Sequence, residues 1–522
     1  MNNAWPETVL LWGAGATKSA GLLTTNDIAC ALTHILEQPF PNFDKLNFSR
    51  LFPGISVDTQ LQKGFKELLS LLCWADSLSI SYDLEALKHI SRISPKFFDA
   101  STGRKTNLGL QELFSLIDQL LDNNLGIEVI DDNGEKLFLE VRRINAARNC
   151  LKLLTEELQR VAIQGDTPGR MSNAAFYYDF AETLSELMTQ EAAIYEQRGY
   201  KKDSRDFYLY SYAIISFNWD PLIMWALFNA HKARNDKPPY MDKCLPLRLF
   251  KDLGTTIATR KVDSDSNVIW YSASETQVIK INDYEYPSRI MRVGKLLYPH
   301  GIFGSRLCPQ CGKLIMSFGN VWDKASPLAF GPSLIQDLQQ NWKYNNDEEN
   351  EPGVIKCPFC GQKTYPQDMP LEMQTVIKKR PIAPLEEIKK EMGLLIKHAK
   401  HIVFAGYSLP MDDISEKVFI ASSLSGKKIE EKKCTIIEFD PGWMPGQGWL
   451  EGKDILSYLQ ERKGSGVCNT VNSILSIFDI SQTRLTLKGI PGIFDSYSNM
   501  EQAVIDVLYR GEFPPVRNEM KG

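Results

Sequence analysis

Four short apolar runs in this chain each end in a polar or glycine-rich signal. The runs end at Trp12, Phe217, Pro299 and Ala405. The signals that follow them are, in the same order, Gly13-Ala14-Gly15-Ala16-Thr17, Asn218-Trp219-Asp220, His300-Gly301 and Gly406-Tyr407-Ser408. Short apolar runs bounded by turn residues are typical of buried strands in a parallel sheet. Because ligands of open α/β sheets bind at the carboxyl ends of the strands, the pattern predicts one crevice where all four signals meet. That crevice is the candidate active site.

Between residues 56 and 199 the strand pattern gives way to apolar positions at helical spacing. The predicted helices are 61–72, 84–93, 108–121, 141–161 and 174–195. Residues 126–139 are the exception, because two short apolar runs there flank Asn133-Gly134, a pair typical of hairpin turns. We therefore predict a mainly helical insertion at 56–199, which separates the first strand of the sheet from the second.

Together these elements predict an α/β fold in which a Rossmann-like parallel sheet carries helices on both faces. The sheet domain is predicted to be split between residues 1–55 and 200–445, with the helical insertion between its two parts. A second insertion, a zinc ribbon, is predicted at 303–370, and residues 446–522 are predicted to form a C-terminal helical segment.

Composition limits the kind of partner and the location. The chain has 522 residues and a formal net charge of -5, which gives no overall electrostatic reason to expect a nucleic acid or an anionic membrane. No apolar stretch reaches the roughly 18 residues that cross a bilayer, and the first residues lack the basic flank and apolar core of a signal peptide. These features predict a cytoplasmic protein that does not enter a membrane.

Two Cys-x-x-Cys pairs, each followed by glycine, form the strongest single pattern. They are Cys308-Pro309-Gln310-Cys311-Gly312 and Cys357-Pro358-Phe359-Cys360-Gly361. Together the four thiolates complete a tetrahedral Zn²⁺ site, and because protein ligands saturate it, the predicted role is structural. An iron–sulfur cluster is the alternative interpretation. The other six of the ten cysteines lie in apolar or helical surroundings, which is typical of small core residues rather than disulfides.

The strand-end signals have structural interpretations as well as functional ones. Glycines after a strand let the backbone approach a phosphate near a helix N-terminus, but the wider dinucleotide fingerprint fails here because its sixth position is Lys18. Asn218 and Asp220 are also common turn and N-cap residues. A lone histidine is usually structural, but the position of His300 beside other polar strand ends favours an acid–base role.

In chain order, these motifs resemble those of the sirtuin family in its broad sense. The turn Gly13-Ala14-Gly15-Ala16-Thr17 is similar to the family's Gly-Ala-Gly-x-Ser/Thr turn, and Asn218-Trp219-Asp220 is similar to its Asn-x-Asp strand end. His300-Gly301 is similar to the catalytic His-Gly that precedes a Cys-x-x-Cys pair, and Gly406-Tyr407-Ser408-Leu409 to a Gly-x-Ser-Leu strand end. The helical insertion and the C-terminal segment match none of the family's motifs.

The resemblance implies NAD⁺ as the ligand and a role for each motif. The residues it implies for the pyrophosphate are Gly13, Ala14, Gly15 and Thr17. Those it implies for the adenosine half are Gly406, Ser408 and Asp440. Asp220 would bind the nicotinamide carboxamide, Asn218 would position water or a ribose hydroxyl, and His300 would act as general base.

One departure from the family pattern bears on the activity. Deacylating sirtuins carry Gly-Ile-Pro-x-Phe-Arg after the first turn, whereas this chain has Gly21-Leu22-Leu23-Thr24-Thr25-Asn26 and no arginine there. The Phe-Asn-Trp-Asp and Gly-Tyr-Ser-Leu-Pro segments instead resemble the bacterial sirtuin-like domains of anti-phage defence systems, which hydrolyse NAD⁺. The resemblance therefore implies an NAD⁺ glycohydrolase of antiviral defence that is held inactive until triggered, as a homo-oligomer or with a partner protein. An NAD⁺-dependent protein deacylase and a non-catalytic NAD⁺ or ADP-ribose sensor are the alternatives.

Overall fold

A computed structural model gives the fold of this chain. The residues it describes are 5–73, 82–94, 96–99, 104–164, 168–201, 204–235, 250–252, 257–262, 268–273, 292–316, 354–357, 360–372, 383–409, 414–424, 431–443 and 448–515. The predicted ribbon at 303–370 is thus described at both cysteine pairs, while residues 317–353 lie outside the described ranges.

The strands and helices are numbered in chain order. The strands are β1 (Thr8–Trp12), β2 (Lys96–Asp99), β3 (Arg104–Leu108), β4 (Ile127–Ile130), β5 (Lys136–Leu139), β6 (Leu209–Ser216), β7 (Phe250–Asp252), β8 (Ile257–Val262), β9 (Val268–Ala273), β10 (Val293–Leu297), β11 (Ser305–Leu307), β12 (Leu314–Met316), β13 (Ile355–Lys356), β14 (Lys363–Thr364), β15 (His401–Ala405), β16 (Lys433–Ile437), β17 (Leu450–Glu451) and β18 (Thr483–Thr486). The α-helices are α1 (Thr25–Leu36), α2 (Phe48–Leu51), α3 (Thr59–Cys73), α4 (Leu84–Ile93), α5 (Leu110–Asp122), α6 (Val141–Gln164), α7 (Pro168–Gln197), α8 (Arg205–Tyr208), α9 (Leu222–Asn235), α10 (Ala383–His398), α11 (Ile414–Leu424), α12 (Lys453–Glu461), α13 (Gly466–Leu475) and α14 (Met500–Tyr509).

One sheet of twelve strands organises the molecule. Its order is β11-β12-β9-β8-β7-β10-β6-β1-β15-β16-β18-β17. The seven strands from β7 to β18 in this order pair in parallel. Antiparallel pairs extend the sheet at both edges, with β17 on one side and β8, β9, β12 and β11 on the other. The predicted Rossmann-like parallel sheet is therefore confirmed.

The central strands end at the same level of the sheet. Trp12 of β1 pairs with Ser216 of β6 on one side and with Ala405 of β15 on the other. Ala405 pairs in turn with Ile437 of β16, while β10 runs parallel to β6 on its other side. The residues that follow these strands therefore begin from neighbouring positions along one edge.

Helices cover both faces of the sheet, as predicted. Side chains alternate across a strand, so Leu10 and Trp12 of β1 join one apolar core and Val9 and Leu11 join the other. The first core is shared with α6, α7 and α14, and the second with α10, α12 and α13. Every residue of β1 is buried, which is typical of a strand covered on both faces.

The predicted helical insertion contains α3 to α7 and packs against the sheet through the first of these cores. The hairpin predicted around Asn133-Gly134 is β4-β5, and Gly134 has a φ of +85°. A second hairpin, β2-β3, was not predicted from the sequence. Its strands, Lys96–Asp99 and Arg104–Leu108, lack the alternation of apolar and polar residues on which a strand prediction depends.

The segment after residue 445 is not only helical. It contains α12, α13 and α14 as expected, but it also contributes β17 and β18, and β18 lies parallel to β16 in the central sheet. No local pattern predicts β18, because its four residues, Thr483-Arg484-Leu485-Thr486, include a single large apolar side chain. Within the ranges that the structure describes, no helix is long and apolar enough to cross a bilayer.

Candidate functional site

The turn after β1 packs backbone to backbone against the turn after β15. Gly13 N donates to Ala405 O and Gly15 N donates to Gly406 O, each at 3.0 Å. A Cβ on Gly13 would lie 2.4 Å from Gly406 O, and Gly406 itself has a φ of +57°. The close approach of the two turns therefore requires these glycines, whatever ligand binds beside them.

The turn after β1 exposes only part of its backbone. Ala14 and Gly15 are exposed, whereas Gly13 and Thr17 are buried. Two short 3-10 turns at 14–16 and 18–20 separate this turn from α1, which begins at Thr25. A ligand can thus contact this turn at residues 14 and 15, without the dipole of a full helix.

Thr17, Asn218 and Asp220 form one buried hydrogen-bonded cluster. Asn218 Nδ2 donates to Thr17 Oγ1 at 3.1 Å, and Thr17 Oγ1 donates to Asp220 Oδ2 at 3.4 Å. Asp220 Oδ1 also accepts from Leu222 N at 3.1 Å, at the start of α9. Asp220 therefore caps a helix with one oxygen, and its other oxygen faces the cluster. Burial raises the pKa of Asp220 to about 6, although its hydrogen bonds act to lower it.

His300 is buried at the edge of the sheet shortly after β10, with 3% of its surface exposed. Its Nε2 lies 3.2 Å from Glu416 Oε1 in the first turn of α11. Its Nδ1 is buried and has no hydrogen-bond partner among the described residues. Buried polar atoms are normally hydrogen-bonded, so this nitrogen is a position where a ligand could supply the partner.

Phe217 connects the strand ends to one another. Its ring stacks on that of Tyr407 with centroids 4.1 Å apart and meets the ring of His300 edge to face at 5.5 Å. Phe217 immediately precedes Asn218, and Tyr407 immediately follows Gly406. The four strand-end signals therefore lie next to one another at the carboxyl edge of the sheet.

The candidate residues for the adenosine half have different surroundings. Ser408 is exposed. Gly406 N donates a hydrogen bond of 2.9 Å to Ile437 O at the end of β16. The carboxylate of Asp440 accepts from Gly442 N at 2.9 Å and from Tyr458 Oη at 2.8 Å. Local contacts thus hold Asp440, and its role toward a ligand stays a prediction.

Glu438 is a second carboxylate at this end of the sheet and was not among the residues predicted from the sequence. It is the first residue after β16, and its Oε1 is buried without a hydrogen-bond partner among the described residues. Burial raises the pKa of Glu438 to about 7. The sequence signal for it was present, because Glu438 directly follows an apolar strand.

Two helices bring further side chains that no local sequence signal distinguishes. Tyr177 of α7 donates its hydroxyl to Ala16 O at 2.5 Å and is 2.8 Å from Ser19 Oγ. Glu416 of α11 reaches His300 in the same way from a distant part of the chain. Both reach the site only because of how their helices pack on the sheet.

The four cysteines of the two Cys-x-x-Cys pairs come together as predicted. Their sulfur atoms all lie within 4.8 Å of one another, and they are those of Cys308, Cys311, Cys357 and Cys360. A Zn–S bond of about 2.3 Å in tetrahedral geometry separates sulfurs by about 3.8 Å. Gly312 and Gly361 have positive φ, and the N–H of each donates to the backbone carbonyl of the first cysteine of its pair at 2.9 Å. This four-cysteine cluster could bind a metal ion such as zinc.

No protein-family model matches this chain, and no curated protein matches it in sequence.

Proposed function

We propose that this chain is a sirtuin-like NAD⁺ glycohydrolase, which cleaves NAD⁺ to nicotinamide and ADP-ribose. The observation that carries the proposal is the buried Nδ1 of His300, which has no partner among the described residues. The His300 ring contacts Phe217, the residue before Asn218, and Asn218 belongs to the buried cluster with Thr17 and Asp220. A general base needs a nitrogen that no protein group already occupies. The contact of His300 with Phe217 brings this nitrogen and Asn218 to one site.

The dinucleotide would bind along the carboxyl edge of the sheet, as ligands of open α/β sheets do. The exposed backbone of Ala14 and Gly15 would contact the pyrophosphate. At the other end, Gly406 N bonds the carbonyl of Ile437, the residue before Glu438. The carboxylate of Glu438 would accept hydrogen bonds from the adenosine ribose, with Gly406 and Ser408 as further contacts of the adenosine half. Glu438 thereby joins Asp440 as a candidate for this role.

Cleavage of the N-glycosidic bond needs one base and no general acid. The nicotinamide ring of NAD⁺ is cationic, so it leaves as a neutral molecule when the electrons of the C1′–N bond move to nitrogen. A water oxygen then bonds to C1′, and Nδ1 of His300 takes the proton, a contribution of roughly 100- to 10,000-fold in rate. Asn218 would orient the water or a ribose hydroxyl, and Asp220 would accept from the carboxamide of the leaving group.

The base is covered in this conformation. His300 is 3% exposed, and its carbonyl accepts from Glu372 N at 2.9 Å. A Cβ on Gly301 would lie 2.0 Å from Pro370 O, so the segment around residue 370 lies directly on the His-Gly turn. An enzyme that depletes NAD⁺ has to stay inactive until it is triggered. We therefore infer a role in bacterial anti-phage defence, with activation through a homo-oligomer or a partner protein.

The four-cysteine cluster would hold a structural Zn²⁺. Four thiolates saturate a tetrahedral ion, so no coordination position remains for water or substrate. The ion would join the turn between β11 and β12 to the turn between β13 and β14 and would contribute its binding energy to folding. NAD⁺-dependent protein deacylation is the second candidate function, because defence-type domains of this kind often lack such a cluster.

The test is the product spectrum of the purified protein with NAD⁺, with and without an acetylated peptide. His300→Ala and Asn218→Ala are measured beside it, with His34→Ala as the control because His34 is partly exposed and its Nε2 accepts a local backbone N–H from Asn47. Nicotinamide and ADP-ribose without peptide, lost in the first two variants and kept in the control, would support the hydrolase.

Other outcomes would overturn the proposal in distinct ways. Nicotinamide that appears only with peptide, together with acylated ADP-ribose, would establish the deacylase. Because the enzyme is proposed to be inactive until triggered, the assay is repeated on the assembled oligomer or partner complex. Tight NAD⁺ binding without turnover there, unchanged in His300→Ala, would establish a sensor. Hydrolysis that persists in a folded His300→Ala variant would remove this residue from the mechanism.

A further inference from the structure

We propose that Glu416 is a positioning residue for His300. It selects the tautomer in which Nε2 carries the proton and Nδ1 is the free base. In its catalytic consequence this inference rests on the proposed NAD⁺ hydrolysis, whereas the choice of tautomer can be measured without it. The observation behind it is the contact of 3.2 Å between His300 Nε2 and Glu416 Oε1, with both side chains 3% exposed.

A carboxylate is an acceptor only, so the nitrogen that faces it has to be the donor. The hydrogen bond made by one ring nitrogen decides the protonation of the other, because neutral imidazole carries one proton. Nε2–H donating to Glu416 therefore leaves Nδ1 with a lone pair. That nitrogen is the one that is buried without a partner among the described residues.

The carboxylate of Glu416 is itself held in place. Lys389 Nζ of α10 lies 3.4 Å from Glu416 Oε1 and 2.7 Å from Glu372 Oε2. The backbone N–H of Glu372 donates to the carbonyl of His300 at 2.9 Å. These contacts form a closed circuit from the His300 ring through Glu416, Lys389 and Glu372 back to the His300 backbone. Three separate segments of the chain thereby determine the orientation of one imidazole.

The tautomer can be read directly by NMR of protein labelled with ¹⁵N-histidine. The chain has 6 histidines, and the His300 signals are those lost in His300→Gln. We expect a protonated Nε2 and an unprotonated Nδ1 in the neutral ring. Glu416→Gln should abolish the preference, because an amide can either accept from Nε2–H or donate to a bare Nε2. An Nδ1–H tautomer in the unchanged protein, or the same tautomer in Glu416→Gln, would overturn the proposal.

The catalytic consequence is read from the kinetics of NAD⁺ hydrolysis. Glu416→Gln should lower kcat by roughly 10- to 100-fold, because it loses the carboxylate that keeps the proton on Nε2 of His300. The KM for NAD⁺ should change much less, since Glu416 is not proposed to contact the dinucleotide. An unchanged kcat in a folded Glu416→Gln variant would contradict the positioning role.

Glu391→Gln is the matched control. Glu391 is also a buried carboxylate, with its Oε1 2.5 Å from Lys295 Nζ, but no contact joins it to His300 among the described residues. We expect this variant to lose stability and to keep both the His300 tautomer and the kcat for NAD⁺ hydrolysis. If the assembled, triggered protein binds NAD⁺ without hydrolysing it, the proposed function fails while the NMR result still decides the role of Glu416.

Discussion

The side chain of Gln159 forms two hydrogen bonds with the backbone of Leu23. Its Oε1 accepts from Leu23 N and its Nε2 donates to Leu23 O, both at 2.7 Å. Gln159 belongs to α6, and Leu23 lies between the glycine turn and α1. Tyr177 of α7 holds the preceding part of the same segment through Ala16 O. The helical insertion thus fixes the chain segment between the glycine turn and α1.

Gln159→Leu should therefore affect both stability and substrate binding. The substitution leaves the buried N–H and C=O of Leu23 without partners, so we expect the free energy of unfolding to fall by about 1–3 kcal/mol. The KM for NAD⁺ should rise because the neighbouring turn is less well held. Urea unfolding and initial-rate kinetics measure the two effects. Gln190→Leu is the control, since Gln190 bonds the exposed Glu501 and its loss should change stability by about 0.5 kcal/mol or less.

Asp220→Asn should make the protein more stable and less active. Burial raises the pKa of Asp220 to about 6 in the folded state, above the ordinary aspartate value of about 3.9. The folded protein holds this proton more tightly, so the free energy of unfolding falls as pH rises from about 4 to about 6 and stays lower above that range. Asparagine removes a penalty of up to about 3 kcal/mol at pH 7 while it can keep the bonds to Thr17 and Leu222.

Thermal unfolding of Asp220→Asn between pH 4 and pH 8 checks this prediction, with hydrolysis of NAD⁺ measured beside it. We expect the gain in stability to grow through the window from about pH 4 to about pH 6 and then to level off. A variant that is less stable at pH 7 than the unchanged protein would contradict the predicted penalty, and a variant that hydrolyses NAD⁺ at the unchanged rate would remove Asp220 from substrate binding.

Glu438→Gln should weaken discrimination between NAD⁺ and NADP⁺. A carboxylate that accepts from the adenosine ribose hydroxyls repels a 2′-phosphate, so the unchanged protein should prefer NAD⁺. The assay is run at pH 8, above the pKa of about 7 to which burial raises Glu438, so that the unchanged protein carries the charge. The variant lacks it, and the ratio of kcat/KM for the two dinucleotides should fall by roughly tenfold, which corresponds to about 1.4 kcal/mol. The same ratio measured for Asp440→Asn decides between the two carboxylates, because a larger effect there would return the role to Asp440.

Cys311→Ser should release the bound metal and destabilise the fold. We expect zinc measured by elemental analysis to fall from one ion per chain to none, with a loss of several kcal/mol in stability because metal binding is coupled to folding. Cys30→Ser is the control, since Cys30 is also an exposed thiol and lies outside the four-cysteine cluster. Unchanged metal content in Cys311→Ser would contradict a metal site built from all four cysteines.

Patterns confined to a short stretch of chain were predictable. Residues 9–12 and 402–405 form strands because apolar runs of that length are buried in parallel sheets, and both are buried throughout. The cysteine pairs were predictable because a knuckle is a local turn with glycine after the second cysteine. The strands β2, β3 and β18 were missed because short strands with few apolar residues take their structure from pairing with a neighbour.

The site divides in the same way. Sequence alone determined that Thr17, Asn218 and His300 follow strands, because those strands have strong local signals, and parallel strands bring their carboxyl ends to one edge. Only the tertiary structure decided that Glu416 faces Nε2 of His300, that Glu438 is buried without a partner among the described residues, and that Gln159 holds Leu23. The two contacts join residues far apart in the chain, with separations of 116 positions for His300 and Glu416 and 136 for Gln159 and Leu23. They depend on how helices pack on the sheet, and no single segment of the chain encodes that packing.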